Sequence, residues 1–116
     1  MDLPLIEGRL KLSMLALVRE AAPDEAVGII YNEMAYPLRN ISDSPTDHFA
    51  MSLADLRELV HTLQIHFDLI DDNVFLWHSH PGGGVGPSRF DMTHKTPLKH
   101  HLVVALVDND LVSTWY

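Results

Sequence analysis

Residues 74–91 read VFLWHSHPGGGVGPSRFD: an apolar run, two histidines one residue apart, a proline, a glycine-rich loop and a polar start to a helix. Val74 to Trp77 has the pattern of a short buried strand. Side chains at i and i+2 of a strand point the same way, so His78 and His80 present both imidazoles to one side of a sheet. Two neutral imidazoles make half of a tetrahedral zinc site. Pro81 has no N–H for a ladder and ends the strand directly after them. Gly82 to Gly86 then let the backbone turn sharply and approach a substrate closely. Ser88 caps a short helix predicted to run to about Lys95, which puts Asp91 in its first turn, near the strand end, as a third ligand. Two histidines and a carboxylate leave a fourth position open, as catalytic rather than structural zinc requires. Zinc lowers the pKa of water to about 7.

Outward from this stretch, the chain alternates helices and strands. Lys11 to Ala22 predicts a helix with Leu12, Leu15, Leu17 and Val18 on its apolar face, stopped by Pro23. Ala26 to Tyr31 (AVGIIY) reads as a buried strand, Asn32-Glu33 as a turn, and Met34 to Leu38 as the returning strand. Asn40 to Asp47 is a loop. Ser52-x-x-Asp55 opens a second helix carrying Leu53, Leu56, Leu59, Val60 and Leu63. Asp71-Asp72-Asn73 reads as a polar turn. Leu102 to Val107 and Leu111 to Tyr116 are two strands around Asp108-Asn109-Asp110. The fold class is α/β, a mixed β-sheet flanked by helices, with residues 1–116 as one domain.

Composition bounds the function. With 47% hydrophobic and 21% charged residues, the 116-residue chain is an ordinary globular sequence. No apolar run approaches the roughly 20 residues of a membrane span, and the first residues lack a basic leader with an apolar core. There is no cysteine, which excludes disulfides, thiolate nucleophiles and sulfur-ligated zinc and fits a cytoplasmic location. Sixteen acidic residues against eight Lys and Arg give a net charge of −8. Such a chain lacks the basic face that nucleic acid or an anionic membrane requires, so neither is an expected partner.

Hydroxide attack on an amide also needs a proton carrier. Glu25 stands directly before the AVGIIY strand, and if that strand neighbours VFLW, Glu25 reaches the zinc-activated water and carries its proton to the leaving amine. Glu33, in a turn, and Glu20, on a helix, are weaker candidates. The Ser88 hydroxyl is placed to stabilise the oxyanion of a tetrahedral intermediate.

His78-x-His80-Pro81, six intervening residues, Ser88-x-x-Asp91 and the upstream Glu25-Ala26-Val27-Gly28-Ile29-Ile30 together resemble the JAMM motif of MPN-type metallopeptidases, over roughly residues 12–116. The resemblance implies a cytidine-deaminase-like α-β-α fold, Zn2+ on His78, His80 and Asp91, a catalytic Glu25 and a transition-state serine at Ser88. Pro37-Leu38-Arg39-Asn40-Ile41, Phe49 and the following helix resemble the compact prokaryotic and phage-encoded branch. Some members trim ubiquitin-like sulfur carriers. Others are phage tail-assembly proteins, in which a cell-wall peptidase domain often follows; none is expected here. The implied partner is a protein or peptide substrate, with the C-terminal tail of a ubiquitin-like or phage structural protein as one candidate; the oligomeric state is left open.

Plainer readings exist for each part. A lone His-x-His pair is usually a surface or packing feature, and Ser88-x-x-Asp91 is equally a capping box, although a cap would also hold a ligand still. The remaining histidines, at 48, 61, 66, 94, 100 and 101, have no ligand spacing to one another. Gly82 to Gly86 lacks the Lys-Ser/Thr of a phosphate loop. Trp77 reads as core and Trp115 as strand packing. Two alternatives stand beside the peptidase: a catalytically silent MPN-like scaffold, and a RadC-like protein of DNA metabolism. The filled motif argues against the first and the charge against the second.

Overall fold

A computed structural model describes residues 3–116. Five strands form its sheet: β1 (Val27–Tyr31), β2 (Met34–Leu38), β3 (Phe75–His80), β4 (His101–Val107) and β5 (Asp110–Trp115). Their order is β2-β1-β3-β4-β5, with β3 in the centre, parallel to β4 and antiparallel to β1. The mixed sheet is the expected one. Both hairpins close through two-residue turns whose central residues have positive φ, Asn32 and Glu33 in one and Asp108 and Asn109 in the other. That backbone twist matches the twist of the strands it joins.

Period-two alternation along β3 sorts its side chains between two cores. Phe75 and Trp77 pack with Leu10, Met14 and Val18 of α1 (Gly8–Ala21) on one face. Leu76 packs on the other with Phe49, Leu98 and Leu56 of α2 (Leu53–Thr62). Burial of each large apolar side chain contributes about 1.5–3 kcal/mol, so the sheet is held from both sides. His78 and His80 belong to the α2 face and Ser79 to the α1 face, which follows from the same alternation.

Three local expectations are corrected. The buried stripe of α1 is Leu10, Met14 and Val18, while Leu12 is 70% exposed. The helix begins at Gly8 rather than Lys11, and Leu12 lies about 200° around it from Leu10. Asp71-Asp72-Asn73 forms the end of a short helix, α3 (Ile70–Asn73), instead of a turn, with the Asn73 amide donating to the Leu69 carbonyl. The helix at Ser88, α4, is Arg89–Thr93 and stops short of Lys95. None of these moves the central strand. No helix among the described residues is long and apolar enough to cross a membrane.

Candidate metal centre

The β1–β3 pairing puts Val27 opposite His78, so Glu25, two residues before Val27, lies beside the end of β3 where His80 stands. Across the glycine loop, Ser88 and Asp91 form a reciprocal capping box. The Asp91 N–H donates to the Ser88 hydroxyl at 3.1 Å, and the Ser88 N–H donates to Asp91 Oδ2 at 2.9 Å. The cap and the candidate ligand are therefore one device, because the bonds that start α4 also fix the carboxylate.

His78, His80 and Asp91 converge. Asp91 Oδ2 lies 3.1 Å from His78 Nε2 and 3.2 Å from His80 Nε2, and the two ring nitrogens are 3.3 Å apart. Three donors at about 2.0–2.1 Å from a tetrahedral ion would stand about 3.3 Å from one another, so the triangle has the dimensions a metal needs. Tautomers point the same way. His80 Nδ1 is 2.8 Å from the Gly84 carbonyl, which can only accept, so Nδ1 carries the hydrogen. In neutral His80, Nε2 is then a lone pair facing a carboxylate, and the contact is satisfied either by a metal cation between the two or by a proton on Nε2 donated to Asp91. His78 Nδ1 lies 3.4 Å from the Tyr116 hydroxyl, and its ring stacks on Phe49 at 4.3 Å. Partners on the far ring nitrogen are the usual means of aiming a ligating imidazole.

Glu25 completes the group without joining the triangle. Its Oε2 lies 3.9 Å from His80 Nε2, and ligand atoms of Glu25, His78, His80 and Asp91 all lie within 4.8 Å of one another. Glu25 is buried, and its Oε1 has no hydrogen-bond partner among the described residues. Burial pushes its carboxyl up to about 7, against the opposing pull of His80 and with help from Asp91 and Asp47. Burial also acts on Asp91, but the hydrogen bonds from His78 and His80 outweigh it and hold that carboxyl well below the carboxylate range. His78 is pushed down, chiefly by burial, and His80 is raised, chiefly by its hydrogen bond to Asp91. Two carboxylates with opposite shifts therefore share one site.

A cleft of about 430 Å³ reaches Glu25 and His80 of this group and is lined otherwise by Thr46, Asp47 and the loop from Pro81 to Ser88. Ser88 is on its lining, with its hydroxyl accepting the cap bond and its own O–H free in direction. The other histidines stay out of the centre. His48 and His94 stack on either side of Phe90, each at 4.0 Å, and His101 is buried with Nε2 accepting from the Thr96 N–H. Trp77 is fully buried core, and Trp115 packs edge-on against Phe75. Sequence reasoning does not bring Tyr116 or Phe49 to the centre, because no spacing rule links positions so far from His78 in the chain, and it gives the glycine loop no part in holding His80 through the Gly84 carbonyl.

The sequence model described as prokaryotic homologs of the JAB domain matches residues 8–116. Among solved structures, a protein of Desulfitobacterium hafniense determined in solution superimposes with a TM-score of 0.62 at 28% identity. The match covers 91% of this chain and 77% of that one. No curated protein matches the chain. Fold, motif and family match coincide: the chain belongs to the prokaryotic homologs of the JAB domain, within the JAMM/MPN family.

Proposed function

We propose that this chain is a zinc metallopeptidase that hydrolyses an amide or isopeptide bond. One observation carries the reading: two imidazole nitrogens and a carboxylate oxygen in a triangle of 3.1–3.3 Å sides, faced by a buried glutamate. His78, His80 and Asp91 hold the ion. When bound, zinc supplies the Lewis acidity that makes water a nucleophile at neutral pH. Glu25 accepts the proton of the attacking water and passes it to the leaving amine. A carboxyl raised to about 7 is suited to both halves of that transfer near neutrality. The Ser88 hydroxyl donates toward the oxygen of the tetrahedral intermediate.

The substrate in this reading is a protein or peptide whose scissile bond lies near an extended C-terminal tail, of the ubiquitin-like or phage structural kind. Gly82, Gly84 and Gly86 line the cleft and leave room beside the site for the backbone of an extended chain. A cytoplasmic setting accompanies this, in keeping with the absence of cysteine. Association with phage tail assembly rests on the resemblance of residues 37–49 alone.

Elemental analysis of purified protein tests the reading, with about one zinc per chain expected and none in His78→Ala. Glu25→Gln retains the zinc and loses turnover on a panel of fluorogenic peptide amides. Stoichiometric iron in place of zinc, or full turnover by Glu25→Gln, would overturn it.

A further inference from the structure

Glu25 precedes the ladder of β1, which starts at Val27, and it is buried, so its backbone groups need partners from elsewhere. Residues 40–50 supply them. The Glu25 N–H donates to the Pro45 carbonyl at 2.7 Å, and the Glu25 carbonyl accepts from Asn40 Nδ2 at 3.0 Å. The same Asn40 side chain holds its own loop together. Nδ2 also donates to the His48 carbonyl at 3.1 Å, with the Pro45 carbonyl at a longer 3.4 Å, while Oδ1 accepts from the Ser42 and Ala50 N–H groups, each at 3.1 Å. An amide offers two hydrogens and one carbonyl oxygen, and this one uses them all. The segment has no helix or strand of its own, and two bonds tie it to Glu25: the backbone bond at Pro45 and the side-chain bond from Asn40, whose amide also links residues across the loop.

We propose that Asn40 is a positioning residue for Glu25: by bonding the Glu25 carbonyl and the loop that receives the Glu25 N–H, it sets where the carboxylate stands beside His80. This rests on the reading of Glu25 as the proton carrier. The position is specific in residue type. Aspartate keeps the acceptor for Ser42 and Ala50 but turns an oxygen toward three carbonyls; alanine removes both functions. Since no bond of Asn40 reaches His78, His80 or Asp91, its loss leaves the metal ligands in place.

Residue-resolved amide hydrogen exchange and steady-state kinetics on wild type, Asn40→Ala and Asn40→Asp test this. In Asn40→Ala the amides of Glu25, Ser42 and Ala50 exchange roughly tenfold or more faster, while those of β3 and β4 keep their protection. In Asn40→Asp the Glu25 amide alone loosens, and this variant decides the matter if the alanine protein does not fold. With zinc loaded, kcat on the fluorogenic peptide amides falls roughly ten- to hundredfold, with KM and zinc content unchanged. Unaltered Glu25 protection in both variants, or unaltered kcat once protection is lost, overturns the proposal. Failure of the underlying reading is separate: wild type would show no turnover, or Glu25→Gln would keep it, and the exchange result then decides alone whether Asn40 holds Glu25.

Discussion

The hydroxyl of Ser79 accepts a hydrogen bond from the backbone N–H of Ala26 at 2.8 Å, and the Ser79 N–H returns one to the Ala26 carbonyl at 2.9 Å. Ser79 lies between the two histidines and Ala26 follows Glu25, so this buried pair ties the start of β1 to β3. Ser79→Ala leaves the Ala26 N–H buried without its acceptor, at a cost of about 1–3 kcal/mol. The urea midpoint falls accordingly while zinc content stays at the wild-type level. An unchanged midpoint would mean that water replaces the hydroxyl.

Gly28 explains itself by contact. A Cβ there would collide with the Tyr36 carbonyl oxygen on β2 and come within 2.9 Å of Trp77 Nε1. Backbone of the paired strand cannot yield as a flexible side chain would. Gly28→Ala therefore displaces β2 or unpacks Trp77, at a cost of about 2 kcal/mol or more. Tryptophan fluorescence reports which happens, with a red shift expected as the buried indole meets solvent.

Much of this was legible in the sequence because strand and helix periodicity act locally. His78 and His80 share a face by alternation, and Ser88 and Asp91 are coupled through a first helical turn, so four residues decide most of the candidate metal centre within a short stretch. Glu25 needed the β1–β3 pairing, which AVGIIY suggests only by its apolar character. Helix α1 shows the limit differently: Leu12 is as apolar as Leu10, and only the contact with Phe75 and Trp77 selects the Leu10–Met14–Val18 stripe. Asn40 lies in a polar loop of turn residues, and nothing in such a segment signals that one amide bonds Glu25.

His101 gives the fold a pH dependence of its own. Burial, followed by the charge of Lys95, pushes its pKa from 6.5 down to about 4. The unfolded chain takes up a proton in that window and the folded chain does not, so the stabilisation is complete above about 6.5 and is lost as pH falls toward 4, levelling off below. The loss is on the order of 3 kcal/mol over the window. Denaturant midpoints of metal-free protein in chelator between pH 4 and 7.5 measure it. His101→Gln, which can still accept from the Thr96 N–H, flattens the slope; a slope equal to wild type would assign the effect to other groups.

Ser88 performs a structural task that masks any chemical one, and the two separate by choice of substitution. Its hydroxyl accepts the Asp91 N–H, so Ser88→Ala both weakens the cap by about 1 kcal/mol and removes a donor to the cleft. Glycine is a tolerable N-cap, within a few tenths of a kcal/mol of serine, and has no hydroxyl. Threonine keeps both functions. If Ser88 stabilises the developing oxyanion, Ser88→Gly binds zinc normally and loses about 10²–10³-fold in kcat, while Ser88→Thr retains most of it. If Ser88 serves only to cap α4, the glycine protein turns over at nearly the wild-type rate, because Asp91 Oδ2 still accepts from the backbone N–H at position 88.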